Sequence, residues 1–574
     1  MLSRWRKIAA TTPLSLWLLV SGCLPTPTPT TDAASASPTA VEGGKAGDRL
    51  SKAAVVAELY EVGEVRAFEY RQAGKLIGRS FGRYEGPVEV DGRTLHRFST
   101  RLERSVDGRA MQALSLAGPG DAEQAGVFLG QGELWVDGEG RLVRAYERSE
   151  AAELRLRVVD GTLEAEAVTG VPRDERWSHP VDPDAAFLGY MTGFLEEFML
   201  ATHELQRGEQ SWPLISLSTG EVQRWEGRVQ QTSAGLELRT EMGERIRFEG
   251  GRVTFVEVPD IQLEVRPIED AVWPTWEIEA PEQIRYAPPA DARFTIRALE
   301  LPGRNDDRRL AGEVLVPAGE GPFPAVVFLG GSAPTDRHGF AGPPAVDLGY
   351  HEITDALASA GFVVLRYDDH GMGESAFAPA SWRTEKEDAR RAFRTLLVQP
   401  EVNPDAVLVV GHGEGGWRAL ALADEYARSI VGVALLGTPG RSYRRIIGSK
   451  QPKVLEAIEQ GQTLPSVLEA NREWFREILE ERPAGLIAGG AAPIWIAHGK
   501  ADFEFDANED AKTLDRLARE AKRKHELRLF DGLDHLFKPS TGVADQSSYR
   551  EERAVDRSFI EALIAFCVAR VPSK

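Results

Sequence analysis

The hydrophobic period of this chain changes part-way along it, and no other feature restricts the fold as much. From Ser51 to Arg266 the dominant period is two, the pattern of strands with one buried face. The segment 132–148 (GELWVDGEGRLVRAYER) carries two strand-like runs around Asp137-Gly138-Glu139-Gly140, a hairpin signal. The segment 153–168 repeats it around Asp160-Gly161, and 236–258 repeats it again. One stretch departs from the alternation. Ala185 to Leu200 spaces Phe187, Leu188, Met191, Phe194, Leu195, Phe198 and Met199 by three and four, which predicts a helix. Residues 51–266 are therefore expected to form a mostly antiparallel β domain with a helix near 185–200. His96, His179 and His203 are scattered through it without supporting Cys or carboxylate spacing, so no metal site is expected.

Residues 267–291 are rich in Pro, Trp and Glu and read as an ordered linker. From 292 to 574 strands alternate with helices, which implies a mostly parallel sheet covered on both faces. The buried strands are expected at Ala325–Leu329, Val363–Tyr367, Ala406–Val410, Val431–Leu436 and Pro493–Ala497, with a more polar last strand at Glu526–Phe530. A helix is predicted from a Thr384/Glu387 capping box, with Ala389, Ala392, Phe393, Leu396 and Leu397 as its apolar stripe. The last helix turns Val555, Phe559, Ile560, Leu563, Ile564 and Cys567 inward, so Cys567 is expected to be a buried small apolar residue.

The chemistry concentrates at the ends of these strands. Val409-Val410-Gly411-His412-Gly413-Glu414-Gly415-Gly416-Trp417 lies between a strand and a helix. It resembles the strand–elbow–helix of the α/β-hydrolase fold, whose signature is G-x-S-x-G. Gly411 and Gly415 occupy the flanking positions, His412 lies between, and Gly413 stands where the serine nucleophile is usual. The resemblance runs from Phe294 to the C-terminus. Residues 308–340 look like the opening of the serine-esterase and serine-aminopeptidase-like hydrolases, with Gly330-Gly331-Ser332-Ala333 in place of an H-G-S-G-type oxyanion loop. YDDHGMGES (367–375) resembles their D-x-R-G-x-G-x-S, HGKADFEF (498–505) their acid loop, and GLDHLF (532–537) their histidine loop. The resemblance implies Asp502 as the triad carboxylate and His535 as the base, with the backbone N–H groups of Ser332 and Glu414 as the oxyanion hole. His338, His370 and His412 are read as supporting or surface residues rather than catalysts. A possible lid occupies 443–482, with Val467, Leu468, Trp474, Phe475, Ile478 and Leu479 on one face of a helix opened by a Ser466/Glu469 capping box.

An acyl-transfer site needs an oxygen nucleophile, a base to take its proton, and a carboxylate to hold the imidazole tautomer. It also needs N–H donors aimed at the developing oxyanion. Everything on that list except the nucleophilic oxygen has a candidate here. Loss of a triad nucleophile costs on the order of 10⁶ in kcat, or about 8 kcal/mol of transition-state stabilisation.

The N-terminus has a separate grammar. Arg4, Arg6 and Lys7 precede an apolar stretch from Ile8 to Val20 that is too short to span a bilayer comfortably. It ends in Val20-Ser21-Gly22-Cys23, which resembles the lipobox of bacterial lipoproteins. That resemblance implies a signal peptide over 1–22, lipid on Cys23, and a cell-envelope location facing the periplasm or exterior. An ordinary signal peptide that happens to contain a cysteine is the other reading. Residues 23–48 are rich in Pro, Thr and Ala and cannot bury enough surface to fold, so they read as a tether. The net charge of −20 over 574 residues disfavours nucleic acid as a partner. No cofactor is expected.

Three readings follow. In the first, a lipid-anchored hydrolase-fold protein has lost acyl transfer at Gly413 and keeps a pocket for an apolar ester, amide, peptide or lipid-like ligand. In the second, the domain is an active esterase or peptidase in which Asp502 and His535 activate water, or another residue attacks. In the third, an envelope lipoprotein acts through its β domain.

Overall fold

The computed structural model describes residues 55–571, leaving aside 107–125, 150–151, 170–174, 183, 190–192, 218–219, 234, 241–242, 281–282, 304–308, 332–333, 343–345, 377–380, 462–470, 541–547 and 550. Cys23, the segment 1–22, the tether and the Ser466/Glu469 capping box lie outside the described residues. No helix among the described residues is long and apolar enough to cross a membrane.

The N-terminal half is a single 15-stranded sheet. It is built from two meanders joined where Val65–Gln72 pairs antiparallel with Leu263–Ile268. All three hairpin segments read from the sequence pair antiparallel. Alternation works here because one face of each strand is buried and the other solvated. The buried face closes on the helix Gly193–Thr202, whose Phe194, Leu195, Phe198 and Met199 join Phe68, Phe98 and Leu134 in one core. The expected helix from Ala185 is corrected: Ala186–Leu188 is a short strand, parallel to Gly208–Ser216, and the helix starts at Gly193. Three apolar residues in a row satisfy either period, and pairing with a sheet edge decided the matter. Inside this core Glu197 is fully buried. It accepts from Arg66 Nε and Nη2 (2.9 and 2.8 Å), Arg252 Nη1 (3.1 Å) and the Val253 N–H (2.9 Å).

The described residues of the linker contact both halves. Trp273 lies under Arg83 and Arg101, Trp276 Nε1 donates to Glu103, and the Ile278 N–H donates to Gln131 Oε1. Further on, Tyr286 stacks on His338 with ring centroids 4.2 Å apart and donates to Asp355.

The C-terminal half is an eight-stranded sheet. Its strands are β1 (Phe294–Leu301), β2 (Leu310–Pro317), β3 (Phe323–Leu329), β4 (Val363–Tyr367), β5 (Val402–His412), β6 (Ile430–Leu436), β7 (Ile494–Gly499) and β8 (His525–Phe530). Their spatial order is β1-β2-β4-β3-β5-β6-β7-β8. β2 is antiparallel to both neighbours, and β3 through β8 are parallel. Helices α1 (Tyr350–Ser359), α2 (Trp382–Leu397), α3 (Gly415–Glu425), α4 (Lys512–Glu520) and α5 (Arg557–Val568) cover it. Ala325, Val327 and Leu329 pack toward α2, α3 and α4, while Val326 and Phe328 pack toward α1 and α5. Burial on both faces explains why these strands read as continuous apolar runs. α2 begins earlier than its predicted cap: Ser381 is the N-cap, in a reciprocal box with Thr384. The hydroxyl of Thr384 serves the role expected of Glu387, so the helix gains a turn at its start. Cys567 is buried, and Phe559, Leu563 and Phe566 share its core.

Candidate active site

The C-terminal ends of β5, β6 and β7, together with the loop after β8, converge on one point. β5 runs into Gly413, and α3 begins at Gly415. The turn is tight enough to exclude side chains at two positions. A Cβ on Gly411 would lie 2.3 Å from the Gly415 carbonyl oxygen, and one on Gly415 would lie 2.2 Å from the Gly330 carbonyl oxygen. Position 413 is different. Its φ is +53°, the left-handed region that favours glycine. A Cβ there would nevertheless meet only ordinary contacts, with Gly331 Cα at 3.6 Å and His535 Nε2 at 3.6 Å. The Gly413 N–H donates to the Leu436 carbonyl (2.8 Å), which pins the turn to β6.

Asp502 and His535 are brought together. His535 Nδ1 lies 2.8 Å from Asp502 Oδ2. Asp502 Oδ1 accepts from the N–H groups of Glu504 and Phe505, and His498 Nε2 stands 3.2 Å from Oδ2. Burial works against the Asp502 charge, but the neighbouring His535 and His498 hold its carboxyl well below the usual carboxylate range. For His535, burial favours the neutral ring. The charges of Asp502 and Glu504 outweigh this and push it up to about 9.

The described part of the expected oxyanion loop, Gly330 and Gly331, is braced from behind. Arg418 Nη2, on α3, donates to the carbonyls of Gly330 and Gly331 (2.7 and 3.1 Å). His412 is buried, and burial pushes it down to about 3, so it is neutral. Its Nε2 donates to the His535 carbonyl (2.9 Å), since a carbonyl can only accept. Its Nδ1 therefore accepts from the Tyr350 hydroxyl, which in turn accepts from the Gly331 N–H. One chain of hydrogen bonds thus ties the oxyanion loop to the histidine loop. Ser332 lies outside the described residues. Glu414, which follows the elbow, also has a fully buried side chain. Burial pushes its carboxyl up to about 7. Burial and the charge of Glu414 push that of Glu385 up to about 8. Tyr443 donates to Glu414 and Trp474 Nε1 to Glu385.

Tyr443 and Trp474 belong to the segment 443–482. Its described helices are Tyr443–Lys450, Pro452–Glu459 and Arg472–Ile478. They share a core with Trp417 of the elbow helix and Phe505 of the acid loop. The expected helix is corrected at its start: Asn471 is the N-cap of Arg472–Ile478, so a helix opened at Ser466 does not continue through it. Of the expected face, Ile478 and Leu479 are buried, Trp474 and Phe475 pack beside them, and Val467 and Leu468 lie outside the described residues. Ser375 is engaged elsewhere, donating to the Asp368 carbonyl and accepting from the Ala311 N–H. His338 and His370 sit beside carboxylates away from the elbow, on Asp336 and Asp388 respectively. The group of potential metal ligands found among the described residues is Asp347, His351 and Glu352. His351 Nε2 already contacts Asp347, and Glu352 accepts the Val555 N–H.

Two residues near the Asp502–His535 pair were not singled out in the sequence. Gly437, just after β6, has φ +55°, and a Cβ there would lie 2.9 Å from His535 Nδ1. Glu504 directs Oε2 to 3.6 Å from His535 Nε2. Gly437 sits in an ordinary strand-end turn, and its need for glycine comes from a loop about a hundred residues away.

Residues 348–473 match the family model of serine aminopeptidase, S33. Esterase EstD of Thermotoga maritima is 25% identical over 279 residues, covering 45% of this chain and 65% of the relative, so the chain spans less than two thirds of that esterase. Among solved structures, an esterase of Pyrococcus furiosus is 16% identical, covers 51% of this chain and 97% of its own, and has a TM-score of 0.36. A hypothetical protein of Pseudomonas aeruginosa is 17% identical, with 49% and 96% covered and a TM-score of 0.35. The sequence matches and the strand order support an α/β-hydrolase superfamily assignment for the C-terminal half.

Proposed function

We propose that this chain is a lipid-anchored envelope protein whose hydrolase domain, of the carboxylic-ester or amide type, has lost acyl transfer at Gly413. It retains a place for an apolar ester, amide, peptide or lipid-like ligand. The observation that carries this reading is the 3.6 Å between His535 Nε2 and a Cβ placed on Gly413, with Asp502 on the far nitrogen of the same ring. A serine hydroxyl at that position would have its base, its carboxylate and a braced oxyanion loop around it. Glycine supplies no oxygen to form the acyl-enzyme bond, and the expected loss is on the order of 10⁶ in kcat. The apolar residues of 443–482 beside Trp417 and Phe505 support an apolar ligand.

The test is a fluorophosphonate probe. The Gly413→Ser chain should label, with the adduct placed at position 413 by peptide mapping, and the natural chain should not. An adduct on another serine of the natural chain would overturn the reading. The approach of His535 to position 413 also favours a second reading, water held there and activated by the Asp502–His535 dyad. It requires p-nitrophenyl ester turnover by the natural chain that disappears in His535→Ala. The anchor is tested separately: an alkyne fatty acid fed to expressing bacteria should label the natural chain but not Cys23→Ala.

A further inference from the structure

The acid loop does more than supply Asp502. Asp502 Oδ1 accepts the N–H groups of both Glu504 and Phe505 at 2.9 Å, which folds the loop back on itself. The Glu504 side chain then reaches the opposite side of the His535 ring from Asp502. Its Oε2 lies 3.6 Å from Nε2, and its Oε1 accepts from the Tyr549 hydroxyl at 2.8 Å. The Glu504 carbonyl accepts from Lys450 Nζ at 3.0 Å. His535 therefore stands between two carboxylates, one at each ring nitrogen. The nitrogen that would have to be bare to accept a proton from a nucleophile is the one facing Glu504.

We propose that Glu504 is a positioning residue that, together with Asp502, holds His535 as an imidazolium beside the vacated elbow. This rests on the reading of position 413 as the nucleophile's place. The site is then altered twice: the elbow lacks an oxygen, and the base is already occupied by a proton. The other groups around the ring do not cancel this. Asp534 adds negative charge, and His412, whose ring centroid is 4.4 Å away, is neutral. His498 faces Asp502 rather than His535, Tyr549 is an uncharged donor to Glu504, and the uncharged Phe505 ring stands 5.4 Å away at a steep angle. Lys450 lies on the backbone side of Glu504. Restoring serine alone should consequently give a nucleophile whose base is neutral only at alkaline pH.

Two measurements test the proposal. In the chain with Gly413 retained, histidine labelled with ¹³C in the ring and assigned through His535→Gln reports the His535 titration directly. Glu504→Gln should lower its inflection by at least one pH unit, and Glu504→Ala should do the same if Gln perturbs the loop. An unchanged inflection in both overturns the proposal. The second measurement is the rate of fluorophosphonate labelling against pH. At pH 7 the chain carrying Gly413→Ser and Glu504→Gln should label at least about tenfold faster than Gly413→Ser alone, because one pKa unit is tenfold in neutral base. The two rates should converge at high pH. Equal rates at pH 7 overturn the role of Glu504 and leave the elbow reading intact. No labelling of either chain at any pH overturns the elbow reading, and the titration then decides Glu504 independently.

Discussion

Two buried sites, one in each half of this protein, handle charge differently. In the β domain Glu197 is surrounded by two arginines and a backbone N–H, so its charge is answered on the spot. In the C-terminal half Asp502, His535, His412 and Glu414 are buried near one turn with half-buried Glu385 beside Glu414, and burial and neighbouring charges push several of them far from their ordinary range. The difference follows from the sheets. An antiparallel meander buries one face against the helix and turns most of its polar side chains to the solvated face. A parallel sheet covered on both faces leaves its strand ends as the place where loops can bring polar groups together.

The contrast can be broken most sharply at Gly437. Gly437→Ala puts a Cβ 2.9 Å from His535 Nδ1 at a left-handed φ, so the ring must move off Asp502. In a Gly413→Ser chain we expect fluorophosphonate labelling to fall by about 10²-fold or more, while the β domain is untouched. Labelling that persists unchanged would separate Gly437 from the site. Next comes Glu197→Gln, which leaves Arg66 and Arg252 without their shared carboxylate. It should destabilise the β domain by about 2–3 kcal/mol in denaturant unfolding, with no effect on labelling. Stability should also depend on pH. His535 is raised to about 9 from an unfolded value near 6.5. A raised base contributes stability that is fully present below pH 6.5 and is lost as pH rises through 9. The denaturation midpoint should therefore fall between pH 6.5 and 9, and fall less in His535→Gln. A midpoint that rises over that window would contradict the charged ring.

Legibility in the sequence also differed between the halves, for physical reasons. The parallel strands read clearly because burial on both faces makes them continuous apolar runs; β4 was expected at Val363–Tyr367 and is found there. In the β domain Ala186–Leu188 was expected to begin a helix and instead pairs at a sheet edge. Three residues cannot show a period, so the partner strand settled the conformation. At the candidate site, Asp502 and His535 were legible because their loops carry recognisable residues around them. Glu504 was visible in the same motif, HGKADFEF, but its direction was not. Gly437 offered no motif at all.

By itself, the sequence determined the change of architecture near residues 267–291, the alternation of strands and helices after it, and the absence of an oxygen at position 413. Those are properties of local period and of residue identity, which need no partner. Only the tertiary structure decided that His535 lies between Asp502 and Glu504, that Gly437 must be small, and that His412 links two loops. Each of these depends on side chains from distant strands meeting within a few ångströms, and distance in space is not encoded in the spacing of residues along the chain.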